Sequence, residues 1–368
     1  MTTDSIDAVV SPGRIVVAMS GGVDSAVTAA LLVEAGFDVI GITLQLYDHG
    51  RAAGRPGTCC AGQDIHDARR VADRLGISHF VLDYEQRFRT RVIDEFANSY
   101  LAGETPVPCV RCNQRIKFTD LLATAEDLGA EALATGHYVE RRELADGPGI
   151  WRGTDRARDQ SYFLFQTTTA QLAKLRFPLG GLNKEETRAI ARRHGLDVAE
   201  KRDSQDICFV PEGSYADVLA RLRPEAMVPG DIVDEGGNVL GRHEGIARFT
   251  VGQRRGLGLS RGEPLFVTRI EPATARVVVG SRARLGRRGF RLREANWLYP
   301  TPAGTKERVE VKVRSAMPAV AATIVRDDGE TGTATVTLDE PYSGVAPGQA
   351  CVAYADDRLL GGGWISRD

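Results

Sequence analysis

The stretch Arg14-Ile-Val-Val-Ala-Met-Ser20-Gly21-Gly22-Val23-Asp24-Ser25 decides how the chain is read. Its apolar, largely β-branched half, Ile15 to Met19, predicts a strand that breaks off in Ser-Gly-Gly. A helical pattern starts at Asp24 and continues through Ala26, Val27, Ala30 and Leu31. Strand, glycine turn and helix N-terminus bring backbone N–H groups and the positive end of a helix dipole onto one point, which suits an anion. Gly21 and Gly22 let a phosphate approach the backbone with no Cβ in the way. Ser20 and Ser25 add hydroxyls, and Asp24 is placed to cap the helix or to hold a magnesium ion. An ordinary turn rich in small residues needs none of this order, and six fitting positions favour the phosphate site.

The spacing is neither Gly-x-Gly-x-x-Gly nor a loop ending in Gly-Lys-Ser/Thr. Ser-Gly-Gly-x-Asp-Ser after a first strand instead resembles the pyrophosphate loop of enzymes that split ATP into AMP and pyrophosphate. Such enzymes activate a carbonyl oxygen as an adenylate.

With 368 residues, 42% of them hydrophobic and 26% charged, the chain has material for two or three domains. No apolar run approaches the roughly 20 residues that span a bilayer. Met1–Ser11 carries Asp4 and Asp7 and lacks both a basic start and an apolar core, so it reads as no signal peptide, and a cytoplasmic location is expected. A net charge of −2 argues against a general nucleic-acid binder. Of 47 basic residues only Lys117, Lys174, Lys184, Lys201, Lys306 and Lys312 are lysines; the rest are arginine, the better bidentate phosphate ligand, though a GC-rich genome would give the same bias and it decides nothing alone. Six cysteines, Cys59, Cys60, Cys109, Cys112, Cys208 and Cys351, suit catalysis or metal binding better than a disulfide framework in such a compartment.

From Arg14 to about Leu133 strands (14–19, 38–44, 77–82, 131–134) alternate with helices (24–35, 64–75, 86–101, 116–128). This predicts an α/β, Rossmann-like parallel sheet, and Gly36, Gly76 and Gly129 fall where C-terminal caps belong. A second helical patch covers about 160–195, where Asn183-x-x-Glu186 reads as a capping box. Pro211, Pro224, Pro229 and Gly230 then punctuate the chain. Glycine turns at Asp234–Asn238 and Asp327–Gly329, with alternation at Val309, Val311, Val313 and Ala334, Val336, Leu338, predict β structure to the end. The expected domains are a catalytic domain at 1–211, a small β module at 212–286 and a C-terminal β-barrel at 287–368.

Thr105-Pro-Val-Pro-Cys109-Val-Arg-Cys112-Asn113 falls between two helical patterns and reads as a loop that Pro106 and Pro108 stiffen. Its Cys-x-x-Cys permits half a zinc site, a redox dithiol or a nucleophile with a neighbour. No second Cys-x-x-Cys exists, and Arg111 and Arg115 are expected to lower a thiol pKa. Cys208, in Lys201-Arg-Asp-Ser-Gln-Asp-Ile-Cys208-Phe209, is either a buried core thiol or part of a charged pocket or loop.

Taken together, Ser20–Ser25, Thr105–Asn113, Ala134-Thr-Gly136-His137-Tyr138, Arg158-Asp159-Gln160-Ser-Tyr162 and Asp203–Phe209 resemble the bacterial tRNA-specific 2-thiouridylases over nearly the full length. The resemblance implies adenylation of the wobble uridine of tRNA by ATP with Mg2+, then sulfur transfer to C2 from a cysteine persulfide. It makes Cys112 the nucleophile and Cys208 the persulfide carrier, able to form a disulfide with each other as sulfur is released. It assigns ATP to Ala18, Met19, Ser20, Gly21, Gly22, Val23, Asp24, Ser25, Leu44 and Gly136. It assigns tRNA to Val107, Pro108, Cys109, His137, Arg158, Asp159, Gln160, Arg314, Ser315 and Gln349. The partners implied are that tRNA and a persulfide donor protein of a cysteine desulfurase relay, with no membrane and a monomeric enzyme.

Three positions depart from the family pattern. Val107 stands for a usual Asn, Cys109 for a frequent Asp whose acid/base role does not transfer, and Arg158 for a frequent Lys. Arg282, Arg284, Arg287, Arg288, Arg291 and Arg293 form either a phosphate-binding stripe or a solvated hinge. Cys59, Cys60 and Cys351 carry no assigned chemistry. Two alternatives stand beside this reading: another ATP-pyrophosphatase acting on a small molecule, and an iron–sulfur-dependent tRNA thiolase using Cys109, Cys112 and Cys208 as ligands.

Overall fold

A computed structural model describes residues 12–47, 60–202, 207–210, 215–224, 227–259, 263–327 and 332–367. The expectations for Met1–Ser11, Cys59, Asp203–Asp206, Pro211 and the turn after Asp327 lie outside the described residues. The chain divides into two compact units. The first comprises Met1–Val92, Cys109–Gln205 and Asp357–Leu359; the second comprises Ile93–Pro108, Asp206–Asp356 and Leu360–Asp368.

The first unit is built on a parallel sheet. β1 (Arg14–Ala18) leads through the Ser-Gly-Gly turn into α1 (Val23–Glu34); β2 (Asp38–Gln45), α2 (Cys60–Leu75) and β3 (Ser78–Asp83) follow. β4 (Ala132–Ala134), a hairpin of β5 (Val139–Leu144) and β6 (Gly147–Arg152), β7 (Leu175–Arg176) and α3 (Lys184–Arg193) complete it. Strand order β3-β2-β1-β4-β7 places β1 between β2 and β4, where the winding reverses. Ligands of open parallel sheets bind beyond the strand C-termini at such a point, and that is where Ser20 to Ser25 lies.

Ile15, Val17, Val27 and Leu32 pack in one buried cluster with Val71 of α2 and Ala191 of α3. α1 is therefore buried on almost every face, which its run of alanines permits at close approach. α2 is two-faced: Asp67, Ala68, Val71 and Ala72 are buried, and Arg69, Arg70, Asp73 and Arg74 are exposed. The expected capping glycines Gly36, Gly76 and Gly129 all have positive φ.

The structure departs from the sequence reading in three places. Cys-x-x-Cys does not lie in a loop: helix begins at Pro108–Arg111, continues with π spacing through Cys112–Leu121 and ends at Leu122–Asp127. Proline forbids a helix interior but not its first turn, where the missing N–H has no helical acceptor in any case. The β5–β6 hairpin and the two-residue β7 were not expected. Between the expected loops near Pro211 and Pro224 stands a helix, Tyr215–Leu222.

In the second unit β8 (Gly230–Val233), β9 (Val239–His243), β10 (Phe266–Glu271) and β11 (Arg276–Gly280) form a small sheet in the order β10-β11-β8-β9. Its β8–β9 turn is the expected one, with Asp234 Oδ1 accepting from the N–H groups of Gly236 and Asn238. Six further strands, β12 (Gly286–Trp297), β13 (Lys306–Lys312), β14 (Val320–Arg326), β15 (Ala334–Ser343), β16 (Ala350–Ala355) and β17 (Arg358–Ile365), run β12-β15-β14-β13-β16-β17 and close through β12–β17. Val309, Val311, Val313, Ala334, Val336 and Leu338 all face the barrel core, as their alternation predicts.

Asn183 opens α3 with a full capping box, its side chain accepting from Glu186 N–H at 2.9 Å and Glu186 returning a bond to Asn183 N–H at 2.8 Å. Asn183→Ala should cost the first unit about 1 kcal/mol, and at this domain size lower its Tm by about 2–4 °C. Calorimetry checks this; an unchanged Tm would show that the cap is not what holds α3.

Candidate active site

The turn after β1 is held open by its own side chains. Ser20 N–H donates to Ser25 Oγ at 3.1 Å, and Ser25 Oγ donates to the Gly22 carbonyl at 3.1 Å. Gly22 occupies the cap position of α1 in extended geometry and supplies no side-chain acceptor, so the first N–H groups of the helix are left for a ligand. Gly21 has φ +74°, and a Cβ there would stand 2.2 Å from the Asp64 carbonyl oxygen. Gly136, just past β4, abuts the same helix end: a Cβ there would lie 2.9 Å from the Asp24 carbonyl carbon and 3.0 Å from Ser25 N. Met19 and Val23 turn their side chains into the core, and the Met19 backbone is tied to β2, its N–H donating to the Ile42 carbonyl at 2.8 Å and its carbonyl accepting from Thr43 Oγ1 at 2.8 Å. Ala18 and Leu44 are half-buried, on β1 and β2 respectively.

Asp24 does not cap α1, contrary to one of its expected roles. Lys184 Nζ donates to its two oxygens at 2.8 and 3.0 Å, and the Tyr138 hydroxyl donates to Oδ1 at 2.8 Å. A carboxylate in the first helical turn is favoured by the dipole without any capping bond. A second lysine also reaches the turn. Lys201 Nζ donates to the Gly21 carbonyl at 3.0 Å, to Asp64 Oδ1 at 2.7 Å and to Asp67 Oδ2 at 2.6 Å. Burial alone would lower the pKa of Lys201, but the two carboxylates more than offset it and hold it above the usual lysine range.

Sequence reasoning assigned no role to Lys184, Lys201, Tyr138, Asp64 or Asp67. One signal was available. Lys184 and Lys201 are two of only six lysines among 47 basic residues.

The cysteine helix forms a second part of the same unit. Cys112 is buried and Cys109 partly so. Burial pushes both thiols up, with Lys117 pulling part of the way back. The expected thiolate-favouring effect of Arg111 and Arg115 is not what the structure gives. Arg111 bonds to Gln114 Oε1 at 3.0 Å and Arg115 to the Arg91 carbonyl at 3.3 Å, while desolvation of the helix dominates at sulfur. Asn113, next to Cys112, is buried and donates to the Phe163 carbonyl at 3.2 Å, while its Oδ1 has no hydrogen-bond partner. His137 Nδ1 lies 2.8 Å from Thr135 Oγ1, and the ring packs edge-on against Phe118 and Phe177. Burial, with Lys117 adding to it, holds His137 well below the usual histidine range. It is a neutral hydrogen-bonding ring at pH 7, not a cation for phosphate.

Asp159 and Gln160 are committed to backbone. Asp159 Oδ1 accepts from Ser161 N–H at 3.0 Å and Gly153 N–H at 3.3 Å, and Gln160 Oε1 accepts from Tyr138 N–H at 3.0 Å. Arg158 lies in the same turn, its N–H donating to the Asp155 carbonyl at 3.0 Å.

In the second unit Cys208 is exposed in a turn, so it is not a buried core thiol. Its neighbour Phe209 is the buried residue, edge-on to Phe96 at 5.2 Å. Val107 is half-buried and Pro108 buried. Thr105, ahead of them, is fastened to the barrel: its N–H donates to the Pro347 carbonyl at 2.8 Å, and its carbonyl accepts from Gln349 Nε2 at 3.1 Å. Arg314 donates to the carbonyls of Gly344 and Val251 at 3.0 and 3.1 Å, and Ser315 is exposed. In the arginine stripe Arg284 pairs with Glu235, Arg291 with Asp327, and Arg293 with Glu104 and Glu294, while Arg288 bonds the Asp339 carbonyl. Cys351 is buried in the barrel core. Among the described residues no three His, Cys, Asp or Glu side chains converge to hold a metal ion. No described helix is long and apolar enough to cross a membrane.

Comparison with known proteins gives three family matches along the chain. Residues 13–212 match the tRNA methyl transferase HUP domain, 216–281 the tRNA methyl transferase PRC-barrel domain, and 287–365 the aminomethyltransferase beta-barrel domain. The chain is 62% identical over 364 residues to the tRNA-specific 2-thiouridylase MnmA of Rhodospirillum centenum, covering 96% of this chain and 92% of that one. It is 61% identical over 361 residues to the protein of the same name from Methylobacterium radiotolerans, covering 96% and 94%. With that of Paramagnetospirillum magneticum it shares 59% over 371 residues, covering 99% and 98%. The chain thus belongs to the tRNA-specific 2-thiouridylase family.

Proposed function

We propose that the protein is an ATP-dependent tRNA 2-thiouridylase, and the uncapped start of α1 behind Ser20-Gly-Gly22 is the observation that carries the reading. Open N–H groups at a helix start and a backbone clear of Cβ atoms fit the phosphates of magnesium ATP. Within Ala18 to Ser25 the open helix start at Gly22 to Ser25 holds the phosphates, Leu44 packs on the adenine and Gly136 admits the nucleotide. Uridine O2 attacks the α-phosphorus and pyrophosphate leaves.

Cys208, exposed, receives a persulfide from a donor protein. Its terminal sulfur attacks C2, and AMP leaves with the former uridine oxygen. The Cys112 thiol then attacks Cys208 Sγ, the persulfide S–S bond breaks toward the base, and 2-thiouridine is released. A Cys112–Cys208 disulfide remains, which an external dithiol must reduce before the next turnover. Val107, Pro108, Cys109 and His137, with Arg158, Asp159 and Gln160, serve the RNA near the reacting base, and Arg314, Ser315 and Gln349 serve it from the barrel. The three-part division at 1–211, 212–286 and 287–368 belongs to the same reading. Neither alternative is favoured, since relatives alike over nearly their whole length are named as tRNA-specific 2-thiouridylases.

Gly22→Val is the clean test of the turn. The backbone there is extended, and an added Cβ meets only Ser20 Oγ at 3.6 Å, so the fold survives while two methyl groups enter the phosphate approach. ATP-dependent pyrophosphate release should fall by about 100-fold or more, a loss of roughly 2.7 kcal/mol. Normal turnover in the folded variant would remove the turn from the mechanism. Asp24→Ala is less clean, because it strips a half-buried Lys184 of its carboxylate at a cost of about 1–3 kcal/mol in stability.

Cys112→Ser and Cys208→Ser should each abolish thiolation, read by mass spectrometry of tRNA nucleosides, while Cys109→Ser retains substantial activity. At pH 7.5 iodoacetamide should label exposed Cys208 well before buried Cys112, whose raised pKa keeps it a thiol. Peptide mapping that traps Cys109–Cys208 in oxidised protein would reverse the two assignments.

Affinity for tRNA should fall with salt with a log–log slope of roughly −0.7 to −0.9 per phosphate neutralised. Salt-insensitive binding would exclude the arginine stripe as a phosphate surface.

A further inference from the structure

Lys201 takes no part in the chemistry above, yet it touches the phosphate turn directly. An ammonium has three donors, and Lys201 spends one on the Gly21 carbonyl and one on each carboxylate, Asp64 and Asp67 of α2. The group it touches is the carbonyl of a glycine. Gly21 and Gly22 have no side chains to fix their torsions, and Gly21 sits at φ +74°, packed against the Asp64 backbone.

We propose that Lys201 is a positioning residue of the phosphate turn: it pins the Gly21 carbonyl toward α2 and so fixes the direction of the Gly22 N–H. In a planar trans peptide the carbonyl and the next N–H point to opposite sides. With the Gly21 oxygen held on the α2 side, the Gly22 N–H faces away from it, on the side open to phosphate. Asp64 and Asp67 keep the ammonium in place. They also leave the three-residue cluster with one net negative charge, which argues against Lys201 as a direct phosphate ligand. A tripod of three acceptors converging on one atom suits an ammonium and not a planar guanidinium, consistent with lysine in this arginine-rich chain.

This inference rests on the ATP reading of the site, and the test separates the two. ATP affinity of the full-length chain is measured by titration calorimetry for wild type, Lys201→Met, Lys201→Arg and Asp64→Asn, with tRNA affinity and Tm measured on each. Lys201→Met should weaken ATP by about tenfold or more and raise its KM for pyrophosphate release more than it lowers kcat, at unchanged tRNA affinity. Lys201→Arg should recover only part of that loss, because its fork cannot meet all three acceptors. Asp64→Asn, at a half-exposed position, should weaken ATP by about 2–5-fold. ATP binding unchanged in Lys201→Met, or a lower Tm with no change in ATP affinity, overturns the proposal. If Lys201→Met does not fold, undiminished ATP affinity in Asp64→Asn overturns it instead. Wild-type protein that binds no ATP sinks the adenylation reading, and this one with it.

Discussion

The first N–H groups of an α-helix have no acceptor within the helix, and at α1 the sequence gives them no side chain either. Much of the first unit is arranged around that unsatisfied end. It lies where the parallel sheet reverses its winding, so β2 and β4 flank it and leave the space beyond β1 open. Gly136 lets the strand next door approach it, Lys184 bonds Asp24 and Lys201 bonds the Gly21 carbonyl.

Parts of this were legible because they are written consecutively. Six residues in a row describe the turn, the capping box spans four, and the barrel strands announce themselves by alternation within five. What stayed hidden depends on residues far apart. Lys184 meets Asp24 across 160 positions and Lys201 meets Gly21 across 180, distances no local pattern spans. The cysteine helix was misread for a different reason. Two prolines in three residues suggest a loop unless one knows that the second stands at a helix start. Once that helix is buried, desolvation outweighs nearby arginines at the thiols, and burial is a tertiary fact. The β5–β6 hairpin escaped because Val139-Glu-Arg-Arg-Glu-Leu has only its ends apolar, and β7 because two residues carry no period.

The arginines of the second unit are held in two different ways. Arg284 and Arg291 are both more than three-fifths exposed and paired to partly solvated carboxylates. Exposed pairs of this kind contribute about 0–1 kcal/mol, so exchanging a carboxylate for a phosphate costs little. Arg314 and Gln349 are differently placed, since their bonds go to backbone carbonyls and tie down the chain segments at Val251 and Thr105. For them, loss of the side chain would loosen those segments.

The long reach of the two lysines also bears on how the protein is made. The turn at Ser20 to Ser25 leaves the ribosome early, with β1 and α1. Its braces come from residues 184 and 201, and the sheet beside it is closed by β7 at 175–176. At about 5–20 residues per second of synthesis, roughly ten seconds or more separate the turn from its last brace. Through that interval the nascent chain carries a flexible glycine turn without the carbonyl anchor that shapes it. Nucleotide binding therefore belongs to the finished unit, and not to the strand–turn–helix that first marks it in the sequence.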